Sequence, residues 1–313
     1  MTRVAAFDCG TNSLRLLIAD LDVEAGTSTE LVRELRIVRL GQGVDRTGRI
    51  ADASLQRVFS AVEEYMEIVL EHDVQATRFC ATSAARDAEN AEEFIAGVRE
   101  RVGVPPEVLD GLEEARVSFA GATRDLPPMP EPLLVLDIGG GSTELILGNE
   151  DGTIVARDSL DIGSVRLNER HLADDPPSKD QVRAAVEDID TALDGCSVDP
   201  ADAGAVIGVA GTVTTLAAGV LDLGTYDRTL IHHSVLRPDA VQGLVTRLLS
   251  MMIEQRKALP YMHPGRADVI GAGGLILDRV LKRTTVNSLL VSEHDILDGI
   301  AWSLVSPSDG KES

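Results

Sequence analysis

Val4-Ala5-Ala6-Phe7-Asp8-Cys9-Gly10-Thr11-Asn12-Ser13-Leu14-Arg15-Leu16-Leu17-Ile18 reads as strand, turn and strand. Leu133-Leu134-Val135-Leu136-Asp137-Ile138-Gly139-Gly140-Gly141-Ser142-Thr143-Glu144-Leu145-Ile146-Leu147 reads the same way. In each, an apolar run ends on Asp, a turn of Gly with Ser or Thr follows, and a second apolar run leaves the turn. Asp8 and Asp137 are 129 residues apart. Glycine lets a backbone pass close to a ligand and aim its N–H groups at an anion. The hydroxyls add donors, and the Asp can hold a metal ion. Two such loops predict two halves that grip one chain of phosphates with a metal between them.

The duplication extends beyond the loops. A third strand is predicted at 30–40 and again at 153–162, each leading to a glycine, Gly43 or Gly163. Amphipathic helices follow at 53–72 and 178–194, with apolar residues at helical spacing and Ser178 as an N-cap. A further strand ends in Thr82-Ser83-Ala84-Ala85-Arg86 in the first half and in Gly211-Thr212-Val213-Thr214-Thr215 in the second. Adding the same 129 to Thr82 lands on Gly211, so the register holds. A duplicated βββαβα unit is an α/β fold with helices covering mixed sheets. The proline-rich 125–132 cannot be helix and divides the chain into domains 1–124 and 125–313. A terminal helix at 292–305 is expected to pack back on the first domain, and the polar residues after it are expected to fray.

Composition narrows the function. A 44% apolar content argues against disorder, and no run approaches the roughly 20 residues of a membrane span. The N-terminus enters a strand directly, without a signal-peptide pattern, and Cys9, Cys80 and Cys196 form no CxxC pair. A reducing, cytoplasmic setting without structural zinc is expected. Cys80 reads as core; Cys9, inside the first loop, reads as a small buried side chain rather than a redox group. The net charge of −22 repels nucleic acid and acidic membranes, so neither is an expected partner. Any phosphate site must then be locally basic, which directs attention to Arg15, Arg86, Arg116 and Arg266 beside the motifs.

The strings DCGTNSLRLL (8–17), ATSAARDAEN (81–90), LDGLEEARVSFAG (109–121), LDIGGGSTELILG (136–148), GVAGTVTTLAA (208–218) and GRADVIGAGGLIL (265–277) occur in this order. They resemble the exopolyphosphatase / guanosine-pentaphosphate phosphohydrolase (Ppx/GppA) family in its short, two-domain form. That family lies within the actin, Hsp70 and sugar-kinase superfamily. The resemblance implies duplicated actin-like, ribonuclease H-like domains with an interdomain cleft, and hydrolysis of a linear phosphoanhydride. The substrate would be inorganic polyphosphate or guanosine pentaphosphate, with Mg²⁺ as cofactor; a homodimer is left open. The ending SEHDILDGIAW (292–302) departs from the commoner family pattern by His294-Asp295 in place of a smaller pair and Asp298 in place of Glu.

Each candidate has a plainer alternative. Glu114 reads by itself as a helix-dipole carboxylate paired with Arg116; the resemblance makes it the residue that orients or deprotonates the attacking water. Asp8 and Asp137 read as turn-forming residues or, from their matched placement, as metal ligands. Glu144 reads as a solvated strand residue or a third metal ligand. Phosphate contacts are assigned to Gly10, Thr11, Asn12, Ser13, Arg15, Ser83, Arg86, Gly139, Gly140, Gly141, Ser142, Thr143, Gly211, Thr212 and Arg266. Arg86 alternatively makes an ion pair, as does Arg266 with Asp268. His232-His233 suggests a metal site but lacks a third ligand at matching spacing, so a solvated loop is expected. Leu248, Leu249, Met251 and Met252 read as core. The expected activity is a distributive exophosphatase preferring short polyphosphates. The competing classes are a guanosine pentaphosphate hydrolase, a sugar-kinase-like phosphotransferase and a non-catalytic polyphosphate or alarmone sensor.

Overall fold

A computed structural model describes residues 1–305. The chain forms two compact units. Unit 1 is Met1–Gly121 together with the segment from Ile296, and unit 2 is Ala122–Asp295. The expected fraying after residue 305 lies outside the described residues.

Unit 1 holds strands β1 (Thr2–Cys9), β2 (Ser13–Asp22), β3 (Thr27–Ile37), β4 (Ala76–Ala81) and β5 (Glu107–Val108) in the order β3-β2-β1-β4-β5. β2 runs antiparallel to both β1 and β3, while β4 is parallel to β1 and β5 to β4. A central strand covered on both faces needs an unbroken apolar run, and Val4, Ala5, Ala6 and Phe7 are fully buried. Alternation divides them. Ala5, Phe7 and Cys9 face a core with Val58, Val62 and Tyr65 of the helix Asp52–Leu70. There Phe7 stacks on Phe79 at 5.2 Å, the kind of pair worth about 0.5–1.5 kcal/mol beyond its area. Val4 and Ala6 face a second core with Val117, Leu297, Ile300 and Trp302. The last three belong to the helix Ile296–Ser303, shorter than the predicted 292–305. Gly299 of that helix lies against Val117, whose carbonyl a Cβ would strike. Asp298, the departure from the family pattern, pairs with Arg33 at 2.5 Å and so fastens this helix to β3.

Unit 2 repeats the plan. β6 (Leu133–Ile138), β7 (Thr143–Gly148), β8 (Ile154–Leu160), β9 (Ala205–Val209), β10 (Val235–Leu236) and β11 (Leu289–Val291) lie in the order β10-β11-β9-β6-β7-β8. Read from β8, the first five strands reproduce the order and direction found in unit 1, and β10 is an added antiparallel edge. This duplicated mixed sheet is the actin-like fold. The helix Lys179–Asp194 begins at a complete capping box, in which Ser178 and Gln181 each bond the other's backbone N–H.

Two local expectations change. The helix Pro238–Ser250 ends before Met251, so Leu248 is buried but Met252 is half exposed at the following turn; the four residues are not one core stripe. His232-His233 is not a solvated loop. It folds onto Asp125, a partner 107 residues away that no local spacing reveals.

Candidate functional site

The β1–β2 hairpin of unit 1 turns through Gly10-Thr11-Asn12-Ser13, closed by Gly10 N–H donating to Ser13 O at 2.9 Å. The carbonyls of this turn are occupied: Thr11 O accepts from Gly41 N–H, and Asn12 O from Val38 and Arg39 N–H. Asp8 and Arg15 are direct partners in the ladder. Arg15 puts Nε at 2.8 Å and Nη2 at 2.7 Å from Asp8 Oδ2. The carboxylate expected to hold a metal is in contact with the guanidinium expected on phosphate. The N–H of Gly10, a residue expected at the phosphate site, closes the turn.

The second loop of unit 1 reaches the first. Thr11 Oγ1 lies 2.8 Å from Ser83 Oγ, and both residues are buried. Ser83 opens a single helical turn, Ser83–Arg86, that ends on Arg86. Arg86 Nη1 donates to Leu109 O at 2.9 Å and to Glu114 Oε2 at 3.0 Å. Glu114 occupies the first turn of the helix Gly111–Thr123, whose start is fixed by Asp110 Oδ1 accepting from Glu113 N–H. Glu114 is only 7% exposed, whereas Arg116 lies 3.8 Å from Glu113. Two residues assigned from separate motifs thus meet as one charge-assisted pair. Cys9 is buried and its thiol is pushed up by burial, next to Asp8. Cys80 is pushed up to about 12, chiefly by burial. Neither suits thiolate chemistry.

In unit 2 the turn Gly139-Gly140-Gly141-Ser142 closes the same way, Gly139 N–H donating to Ser142 O at 3.0 Å. Its carbonyls are clamped by the helix Ser164–His171: Ser164 N–H bonds Gly139 O, and Val165 and Arg166 N–H bond Gly140 O. The Arg166 side chain adds Nε to Gly141 O at 2.7 Å. This close approach requires Gly163, where any Cβ would strike the Gly140 carbonyl. The clamp thus occupies the loop's carbonyl groups. The Gly139 N–H is used in this turn, and Thr143 is fully buried with its hydroxyl donating to Ile162 O at 2.7 Å.

Asp137 and Glu144 are direct partners on β6 and β7, the places held by Asp8 and Arg15 in unit 1. They are 7% and 1% exposed. Ser159, opposite Glu144 on β8, donates its hydroxyl to Glu144 Oε1 at 2.9 Å. Two facing buried carboxylates repel unless a cation or proton joins them, and oxygen-only donors suit a hard divalent ion. The third loop brings Gly211, Thr212 and Arg266 together. Arg266 Nη1 donates to Gly211 O at 2.6 Å and lies 3.2 Å from Thr215 Oγ1. Thr212 and Ser142 are buried at the starts of their elements.

Sequence reasoning overlooked Arg166, Ser164 and Ser159. Ser159 could have been found by pairing β7 with β8 in register. The Ser164–His171 clamp could not, because the matching support in unit 1 comes from residues 38–41, not from a helix. Among the described residues, no helix is long and apolar enough to cross a membrane.

Comparison with known proteins places this arrangement. The Ppx/GppA phosphatase family matches residues 19–306. Exopolyphosphatase 2 of Mycobacterium tuberculosis is 44% identical, over 97% of this chain and 99% of its own. The crystal structure of an exopolyphosphatase-like protein is 42% identical, with a TM-score of 0.93 over 96% of this chain and 97% of that one. The Ppx/GppA family member of Aquifex aeolicus is 31% identical, with a TM-score of 0.81 over 96% and 97%. The chain belongs to the Ppx/GppA phosphatase family.

Proposed function

We propose that this protein is an exopolyphosphatase, a hydrolase that releases orthophosphate from the end of inorganic polyphosphate. The observation that carries the reading is the ion pair between the buried Glu114 and the partly buried Arg86, which adds a water-orienting carboxylate to loops built for phosphate. A kinase would need an acceptor pocket in place of that carboxylate, and a mere sensor would have no use for it.

Enzymes of this family generally depend on a divalent metal ion. Asp137 and Glu144 fit Mg²⁺, a hard ion that takes oxygen donors and keeps several waters. When bound there, the ion would neutralise charge on the phosphate oxygens. The protein's own residues do the rest. Free N–H groups of Thr11, Asn12 and Ser13 and of Gly140, Gly141 and Ser142 hold phosphate oxygens, with Thr212 and Arg266 extending the track. Arg86 places the Glu114 carboxylate and offers its remaining donors to the terminal phosphate. Glu114 aligns the water and accepts its proton as the oxygen attacks phosphorus and the bridging oxygen departs. The transition state is loose, so alignment and charge neutralisation supply most of the rate.

The net charge of −22 repels a long polyanion wherever it leaves the basic loops, within a Debye length of about 8–10 Å. The enzyme is therefore distributive and prefers short chains, with guanosine pentaphosphate a weaker second substrate. Three free thiols accord with a cytoplasmic setting. Phosphate release from short polyphosphate, long polyphosphate, guanosine pentaphosphate and ATP, measured side by side, tests the substrate. Faster release from ATP or from guanosine pentaphosphate would overturn the assignment. Gels of partly digested long polyphosphate should show a ladder of intermediate lengths; long chains vanishing without intermediates would overturn the distributive reading.

A further inference from the structure

Within unit 2, apart from the phosphate loops, four side chains distant in sequence converge. Asp125 follows the helix Gly111–Thr123, His232 and His233 follow the short helix Arg228–Ile231, and His294 follows β11. Asp125 Oδ2 lies 3.1 Å from His232 Nε2 and 3.1 Å from His294 Nδ1, and Asp125 Oδ1 lies 3.9 Å from His233 Nε2. The His232 and His233 rings stack with centroids 3.8 Å apart. One ligand atom each from Asp125, His232 and His233 falls within 4.8 Å of the other two. His233 Nε2 is buried with no hydrogen-bond partner. His233 is held at φ 60°, its N–H on Val291 O at 2.7 Å. A non-glycine residue at positive φ is uncommon and is kept only when its surroundings enforce it.

We propose that Asp125, His232 and His233 bind one divalent ion of the Zn²⁺ and Co²⁺ class, at a site separate from the carboxylates Asp137 and Glu144. Imidazole nitrogens select such borderline ions over Mg²⁺, which prefers oxygen. Ligands about 2.0–2.2 Å from a tetrahedral ion stand roughly 3.3–3.5 Å apart, so modest side-chain rotation closes the present spacing. His294 acts on the carboxylate, with its Nδ1 beside Asp125 Oδ2, as outer partners orient metal-bound carboxylates. His232 carries a signature of its own. Its Nδ1 accepts Glu293 N–H at 3.1 Å, so without the ion its proton sits on Nε2 and is donated to Asp125. For the ion to bond Nε2, that proton must move to Nδ1. The ring stays neutral, and the Glu293 N–H loses its acceptor.

The test uses the full chain stripped of metal, titrated calorimetrically with Zn²⁺ in excess Mg²⁺, with Co²⁺ as an optical probe. The wild type should bind one ion and give visible Co²⁺ absorption. His233→Gly removes a ligand while suiting the left-handed backbone, and Asp125→Asn removes the charge; each should weaken binding about tenfold or more. His171→Ala, outside the cluster, should bind as the wild type does. The Glu293 amide resonance should move on Zn²⁺ addition in the wild type and hold still in His233→Gly. No binding by the wild type, or wild-type affinity in both cluster variants, would overturn the proposal.

Discussion

The hairpins β1–β2 and β6–β7 share one backbone plan and differ in one decisive pair. In each, an Asp closes the first strand and a Gly N–H closes the turn on a Ser carbonyl. The residue opposite the Asp is Arg15 in unit 1 and Glu144 in unit 2. Unit 1 therefore sets a guanidinium against its buried carboxylate, whereas unit 2 sets one buried carboxylate against another. A duplicated fold supplies two matched turns, and on the proposed function one exchange of charge makes one copy the half that would hold the metal. Glu114, the proposed water-orienting carboxylate, belongs to unit 1, where Arg86 contacts it.

Glu114→Gln should break this division most visibly. Turnover should fall by roughly 10²–10⁴ with little change in substrate affinity, as phosphate-release kinetics would show; near-normal turnover by the folded variant would remove the water-orienting role from unit 1. Arg15→Ala leaves Asp8 buried without its guanidinium, and chemical denaturation should report a loss of about 3–5 kcal/mol. A loss below about 1 kcal/mol would mean that unit 1 does not depend on that pair. Metal response should separate the copies. Saturating Mg²⁺ at about 100 times its dissociation constant should stabilise the wild type by about 2.7 kcal/mol. Glu144→Gln should abolish that increment and Asp8→Asn should keep it; the reverse would place the ion in unit 1. Ser159→Ala, which deprives Glu144 of its hydroxyl donor, should weaken Mg²⁺ binding about tenfold without altering stability in its absence, a difference that titration calorimetry would resolve.

Much of the fold was legible because a repeat of constant offset reveals strands that single windows leave ambiguous. Ser178 as an N-cap and the buried runs 4–7 and 133–136 were local signals. The site was legible at the level of loops and less so at the level of atoms. Which carboxylate carries Arg15, which amides the turns consume, and where Thr143 spends its hydroxyl depend on cross-strand register and on neighbours distant in sequence. The cluster about Asp125 shows the limit plainly: its members come from three separate segments, and an adjacent histidine pair gives no hint of the other two. Asp298 was read against a family pattern and turned out to serve packing through Arg33.

The helix Ile296–Ser303 completes a core that begins with Val4 and Ala6. A ribosome delivers β1 first and this helix only after all of unit 2. During synthesis one face of the first sheet must wait, with Leu17, Ala19 and Leu21 lacking their partners, while unit 2 can already close. Domains generally fold as units in order of emergence; here the later unit finishes first. The nascent chain is thus exposed to misassembly and to chaperone capture through its N-terminal half until Trp302 has left the exit tunnel.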